Sequence, residues 1–233
     1  MAIIYGRADS EKQLLDLYPK RVKTIEDIDR VHQELRKDIK NELEAGFSSS
    51  IKKSSKKPQI NKFEKNKDDP HHADTSSELD TLDVLSQLPD DYHVLCGVNL
   101  QLPNYVTYDG KKNLKSAQMD FVIVSKRGVI ILQAKNWSTQ YNDKNENLSP
   151  HEQVDRAARV LRIALKSWRS PQSPAVKSVV LSVKGNIPND TKYKLVSVSD
   201  LDKINSFLQN RKEEFSEKEV KRIVGRLKSH VTD

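Results

Sequence analysis

Met119-Asp120-Phe121-Val122-Ile123-Val124, a turn at Lys126-Arg127-Gly128, and Val129-Ile130-Ile131-Leu132-Gln133-Ala134-Lys135 form the stretch whose reading decides the fold. Continuous apolar runs of this kind read as neighbouring strands of a sheet covered on both faces, since a half-exposed strand alternates apolar with polar residues. Three polar side chains interrupt the pattern. Burying Asp120 or Lys135 without a partner would cost several kcal/mol, a large part of what a whole domain has to spare, so partners are expected. Gln133 and Lys135 are two residues apart and share a strand face, and a hairpin between the runs brings Asp120 beside them. An acid, an amide and an ammonium then converge. Taken alone, the three fit equally well a buried Asp–Lys ion pair with a neighbouring glutamine and a catalytic constellation.

Regular elements continue on both sides. Ser76 to Gln87 reads as a helix carrying Leu79, Leu82, Val84 and Leu85, and strands are expected near 92–100, 118–124 and 129–135. Leu102 to Ser116 is polar, holds Gly110 and three lysines, and reads as a loop or a long hairpin arm. Ser149-Pro150-His151-Glu152 is a helix start, with serine at the cap, proline first and glutamate three after the cap; the helix is expected to reach about Trp168. Val176–Val183 and Leu195–Val198 read as strands. Ser199 with Asp202, and Ser216 with Glu219, start two terminal helices, the second ending near Leu227.

The N-terminal part reads differently. Asp9-Ser10-Glu11 caps a short helix with Leu14, Leu15, Leu17 and Tyr18 that ends near Pro19. Thr24 with Asp27 resembles a capping box, after which Ile28, Val31, Leu35, Ile39 and Leu43 line one helix face. One apolar stripe needs a partner, so residues 24–45 are expected to form a homo-oligomer contact or to dock on the rest of the chain. From Gly46 to Asp74 the chain is rich in serine, lysine and asparagine and reads as a flexible basic linker. The expected organisation is a helical arm over 1–45, a linker over 46–74 and a main domain over 75–233.

Composition bounds the partners. Among 233 residues, 40 Lys and Arg against 33 Asp and Glu give a net charge of +7, which favours a polyanionic partner such as nucleic acid. The clearest basic cluster is Lys52, Lys53, Lys56 and Lys57 in the linker. No apolar run approaches the roughly 18 residues that span a bilayer, and Met1 to Arg7 lacks a signal peptide's apolar stretch, so a soluble cytoplasmic protein without membrane contact is expected. A single cysteine, Cys96, excludes a disulfide framework and a thiolate metal cluster; set in an apolar strand, it reads as inert packing. His71, His72 and His93 lack zinc-ligand spacing with any second cluster.

Several of these segments recur together in one family. Glu78 opening a helix, Leu88-Pro89-Asp90-Asp91-Tyr92-His93-Val94-Leu95 leading into a strand, Gln118-Met119-Asp120, Gly128-Val129, Gln133-Ala134-Lys135-Asn136-Trp137 and Ser149-Pro150-His151-Glu152-Gln153 resemble, in order and spacing, the nuclease-related domain family (NERD), a branch of the PD-(D/E)XK nucleases. The resemblance covers about residues 74 to 229. It implies a restriction-endonuclease-like αβββαβ core with a mixed central sheet, here preceded by the helical arm. It also implies hydrolysis of phosphodiester bonds in nucleic acid, DNA foremost, with Mg²⁺ or Mn²⁺ as cofactor.

Carried over residue by residue, the resemblance makes Asp120 a metal ligand, with Gln133 and the Ala134 carbonyl completing an oxygen donor set. Gln133 stands where the family motif usually has Asp or Glu, which removes one negative charge and points to one metal rather than two. Lys135 would orient the attacking water and offset charge developing on the phosphorane. Glu78 would bind the metal directly or through water. Because Thr75-Ser76-Ser77-Glu78 is itself a capping box, it reads equally as a helix cap. Gln153 would hold the site's geometry or touch a phosphate, with Arg156 beside it; a solvated helix face explains both as well. Asn136 and Trp137 follow the lysine, and Trp137 would stack on a base or sugar or close the core. Two other readings stand beside the nuclease: a nucleic-acid-binding scaffold that lost cleavage, which Gln133 favours, and a protein-interaction module with an oligomerisation arm.

Overall fold

The computed structural model describes residues 1–8, 70–137, 148–167 and 176–231, with isolated positions from Leu15 to Lys37. Lys52, Lys53, Lys56 and Lys57, Trp168 and every member of the 24–45 stripe except Val31 lie outside the described residues. The chain divides into two compact units, Met1–Asp9 with Ser76–Asp233, and Ser10–Thr75. In the smaller unit the expected capping box is present: the Thr24 amide donates to Asp27 Oδ2 and the Asp27 amide to Thr24 Oγ1, both at 3.2 Å.

The larger unit is an α/β fold around a six-stranded mixed sheet in the order β1-β2-β3-β4-β5-β6. The strands are β1 (Ile3–Tyr5), β2 (His93–Tyr108), β3 (Lys111–Ser125), β4 (Gly128–Trp137), β5 (Val176–Gly185) and β6 (Val196–Asp200). β2, β3 and β4 form an antiparallel meander, whereas β1 on one side and β5 and β6 on the other run parallel to their neighbours. Flanking helices are α1 (Pro70–Ser86), α2 (Pro150–Ser167), α3 (Ile204–Gln209) and α4 (Glu217–Leu227). The run α1-β2-β3-β4-α2-β5 therefore has the order α, β, β, β, α, β.

Both faces of the sheet are covered, which is why its central strands could be continuously apolar. Alternation sends Val122, Val124, Val129 and Ile131 to a core completed by Val154, Ala157, Leu161 and Leu165 of α2 and by Ile223 and Leu227 of α4. Phe121, Ile123, Ile130 and Leu132 point the other way, to Leu85 of α1 and to Ile204 and Leu208 of α3. Cys96 is fully buried in that second core.

Local signals explain where elements begin. Ser149 Oγ accepts from the Glu152 amide at 3.2 Å and Pro150 opens α2. Ser216 and Glu219 form the complete capping box of α4. Two expectations need correction, and one strand was not expected. α1 starts at Pro70, so Glu78 lies two turns inside the helix and cannot cap it; proline suits the first helical turn because it has no amide hydrogen to leave unpaired. Ser199 does not cap a helix either: its hydroxyl turns to the Asp200 carbonyl at 3.3 Å, and a 3₁₀ turn, Leu201–Lys203, precedes the short α3. β1 had no sequence signal, being three residues long with Ile3 and Ile4 exposed. It is held by its ladder to His93–Leu95 and by the contact of Tyr5 Oη with His93 Nδ1 at 3.0 Å.

Candidate active site

The site sits where β3 and β4 part. Their ladder ends at Phe121↔Leu132, yet β3 continues beside β2 (Val98↔Met119) and β4 continues beside β5 (Gln133↔Val180, Lys135↔Ser182). Gly97, at φ 57°, falls across β2 from Asp120, between the pairs Cys96↔Phe121 and Val98↔Met119, in a left-handed conformation that costs glycine little. A fork opens. Asp120 occupies it in place of the missing backbone bonds: its Oδ2 accepts from the Ala134 amide at 2.9 Å, and its Oδ1 accepts from Gln133 Nε2 at 2.6 Å. Because a strand residue directs its N–H and carbonyl to the same side, the Ala134 carbonyl leaves β4 toward the same fork.

Beside the fork lies a cleft of about 320 Å³ lined by Ser116, Ala117, Gln118, Asp120, Gln133, Leu148, Gln153, Arg156 and Ala157. Gln153, one turn into α2, donates from Nε2 to the Leu148 carbonyl at 3.2 Å. Arg156 is a neighbour on the same helix. It forms an ion pair with Glu152 at 3.7 Å and its guanidinium lies 4.9 Å from the Tyr108 ring centroid. Tyr108 Oη donates to Asp155 Oδ2 at 2.9 Å; burial first, then this carboxylate, pushes the phenol's pKa well above its ordinary value of 10.0. From the other side Tyr193 Oη donates to Glu152 Oε2 at 3.0 Å. Two tyrosines thus brace the polar face of α2 and hold Arg156 toward the cleft.

The remaining residues fall around this centre. Lys135 is half-buried and, at the same alternation as Gln133, faces the α2 side of the sheet. The Ala134 side chain faces the opposite core, so that residue can serve the site only through its backbone. Asn136 follows a bulge in which Val183 of β5 has no β4 partner. Trp137 packs on the α2-side core and lines a separate cavity of about 310 Å³ with His151, Asn189 and Thr191. Glu78 is 7% exposed; the spacing 78, 82, 85 puts it on the inward face of α1, with Leu82 and Leu85 against the opposite core. It is not among the residues that line the cleft.

Sequence reasoning missed the bracing pairs and the part of the cleft wall from Ser116 to Gln118. Tyr108 and Asp155 are 47 residues apart and Tyr193 and Glu152 are 41 apart, a separation that carries no local pattern. Among the described residues no cluster of three His, Cys, Asp or Glu side chains is placed to hold a metal ion. What the fork provides is one carboxylate, one side-chain amide and one backbone carbonyl, an all-oxygen donor set once the amide turns its Oε1 inward, and such donors suit a hard divalent cation.

The family model described as nuclease-related domain matches residues 73–183, which include the fork, the cleft and the first eight residues of β5. No curated protein and no solved structure matches the chain. Residues 73–183 of this chain are a nuclease-related domain, NERD.

Proposed function

We propose that the protein is a divalent-metal-dependent nuclease of the restriction-endonuclease-like class, hydrolysing phosphodiester bonds of DNA at Asp120, Gln133 and Lys135. The observation that carries this reading is the fork itself: two strands of one sheet separate at Asp120, and an acid, an amide and a main-chain carbonyl are held at the mouth of a cleft. Asp120, Gln133 Oε1 and the Ala134 carbonyl would hold Mg²⁺ or Mn²⁺; Glu78, on the side of α1 that packs on the opposite core, is left out of this set. A half-turn of the Gln133 amide exchanges Nε2 for Oε1 at Asp120, so the hydrogen bond of the metal-free arrangement and the ligand geometry use the same side chain.

When bound, the cation supplies Lewis-acid stabilisation of charge on the phosphoryl oxygens. Lys135 donates hydrogen bonds from its ammonium to the attacking water and to a non-bridging oxygen, which positions the water in line with the leaving oxygen. As the water oxygen bonds to phosphorus, the ester P–O bond breaks; the attacking water gives one proton to solvent and the leaving oxygen takes one from solvent, so it departs as an alcohol with the protons in balance. Arg156 and Gln153, on the first turns of α2, contact the phosphates on either side. Asn136 and Trp137 follow the strand away from the centre, where the indole stacks on a base.

One observation favours a second reading. Both oxygens of Asp120 already accept hydrogen bonds, from Gln133 and from Ala134, an arrangement that also suits a scaffold which binds nucleic acid without cutting it. Incubation with labelled single-stranded and duplex DNA plus Mg²⁺ or Mn²⁺ separates the two. Cleavage by the wild type that is lost in Lys135→Ala, with DNA affinity kept, supports the nuclease; retention without metal-dependent cleavage supports the scaffold.

A further inference from the structure

The β2–β3 hairpin runs on beyond the sheet. β1 pairs with β2 over His93–Leu95 and β4 leaves β3 at Phe121, so among the described residues the outer parts of β2 and β3 pair with each other alone, through Gln101↔Ser116, Val106↔Leu114, Thr107↔Lys112 and Tyr108↔Lys111. The β3 arm, five residue steps from Ser116 to Lys111, sets a two-stranded ribbon of roughly 17 Å, and β2 bulges between Gln101 and Val106, where its register shifts. It closes at Asp109-Gly110, with φ of 47° and 75°, the left-handed pair that a tight two-residue hairpin needs. One side of the ribbon is seated: Leu102 and Leu114 are buried, Val106 and Tyr108 pack against the α2-side core, and Tyr108 is tied to Asp155 and covered by Arg156. Elsewhere Tyr105 is 54% exposed with the Lys115 ammonium 5.5 Å from its ring centroid, and Lys111 and Lys112 are exposed. The ribbon's one acid, Asp109, faces Lys192 at 3.8 Å.

Lysines on a free strand edge serve ordinarily to block edge-to-edge aggregation. That purpose requires neither an exposed tyrosine under a lysine nor the anchoring of the ribbon on α2. The root of the ribbon, Ser116 to Gln118, is a wall of the cleft that holds Asp120 and Gln133, and Arg156 belongs to both, as cleft lining and as the cover of Tyr108. A polymer lying in the cleft meets the ribbon. The major groove of B-form DNA, about 12 Å wide, admits a two-stranded ribbon, whereas the A-form groove of duplex RNA is too deep and narrow. We infer that the β2–β3 ribbon is the element that docks duplex DNA on the cleft, entering the major groove with Lys111, Lys112 and Lys115 on phosphates and Tyr105 against the groove wall. The inference rests on the reading of the cleft as the phosphodiester site and names its substrate as duplex DNA.

Equilibrium binding of the full chain to a duplex DNA, to a duplex RNA and to a single strand, in EDTA across a salt series, tests it. The triple variant Lys111→Gln, Lys112→Gln, Lys115→Gln is expected to lower the log–log salt slope on duplex DNA by about 2 to 3, at roughly 0.9 per phosphate contact, while an equal charge loss at exposed Lys166, Lys177 and Lys218 leaves it nearly unchanged. Tyr105→Ala weakens duplex DNA binding without altering the slope. Wild-type affinity for the RNA duplex is expected to be lower and indifferent to the ribbon variants. Equal slope changes from both triple variants, or an RNA duplex bound as tightly as DNA and equally sensitive to the ribbon, would overturn the proposal. Hydrolysis of the small diester bis(p-nitrophenyl) phosphate with Mn²⁺, which needs no ribbon, reads the nuclease function separately: an inactive wild type refutes the nuclease reading while the binding result still decides the ribbon.

Discussion

Asp120 is expected to carry two separable roles, which substitution by alanine and by asparagine distinguishes. Alanine leaves the Ala134 amide without its acceptor; Ala134 is only 5% exposed, so that N–H is stranded, whereas half-buried Gln133 can turn to solvent. A buried unsatisfied donor costs about 1–3 kcal/mol, and at roughly 2–4 °C per kcal/mol for a domain of this size the melting temperature should fall by about 2–12 °C. Asparagine keeps an oxygen for the Ala134 amide, and Gln133 turns its Oε1 toward the new Nδ2, so the loss should stay under about 1 kcal/mol. Activity divides differently: both variants lose cleavage, because neither offers a charged oxygen ligand. The assay is thermal unfolding followed by circular dichroism, without metal and with Mn²⁺, beside a cleavage assay. Saturating Mn²⁺ at a hundred times its dissociation constant would stabilise the wild type by about 2.7 kcal/mol and neither variant. Equal melting temperatures for the two metal-free variants would refute the hydrogen-bond account of the fork, and a Mn²⁺ upshift in Asp120→Asn would remove Asp120 from the ligand set.

Gln133→Glu should raise Mn²⁺ affinity, measured by titration calorimetry, while Gln133→Leu is inactive. Without metal the new glutamate faces Asp120 where a 2.6 Å hydrogen bond had been, which raises its pKa above the unfolded value of about 4.3. Its stability contribution is therefore present below that value and lost as pH rises through the folded pKa, which denaturant midpoints at pH 4 and 7 will read. Gly185→Ala should destabilise by at least about 2 kcal/mol and perturb Trp137 fluorescence, since Gly185 has φ 86° and an added Cβ would lie 2.0 Å from the Trp137 carbonyl oxygen. Burial first, then Lys228 and Lys221, holds the His93 pKa below its ordinary 6.5, so the fold loses stability as pH falls from about 6.5 through the lowered value. His93→Gln should flatten the melting-temperature profile in that window; a profile as steep as the wild type's would exclude His93 as the cause.

Much of this architecture could be read along the chain because its causes are local. Continuous apolar runs from Phe121 and from Val129 required a sheet buried on both faces, the Gly128 turn required a hairpin, and the Ser149-Pro150 and Ser216-Glu219 signals set the starts of α2 and α4. Strand alternation likewise put Gln133 and Lys135 on one face and the hairpin at Gly128 brought Asp120 beside them, since side chains two apart along a strand share a face. What no local pattern carries is how two paired strands separate. At the fork the Ala134 amide donates to the Asp120 side chain, and across β2 from Asp120 stands Gly97 with φ 57°, a contact and a conformation that no local spelling announces. Glu78 shows the same limit: the capping-box spelling was correct chemistry in the wrong place, because the helix had already begun at Pro70 and burial put the carboxylate on an inward face. β1 is three residues whose only reason to be a strand is the edge of β2, and Tyr108 and Tyr193 reach α2 across more than forty residues of chain. Propensity and periodicity act over one or two turns of chain, whereas the geometry of the cleft is set by packing between elements that meet only after folding.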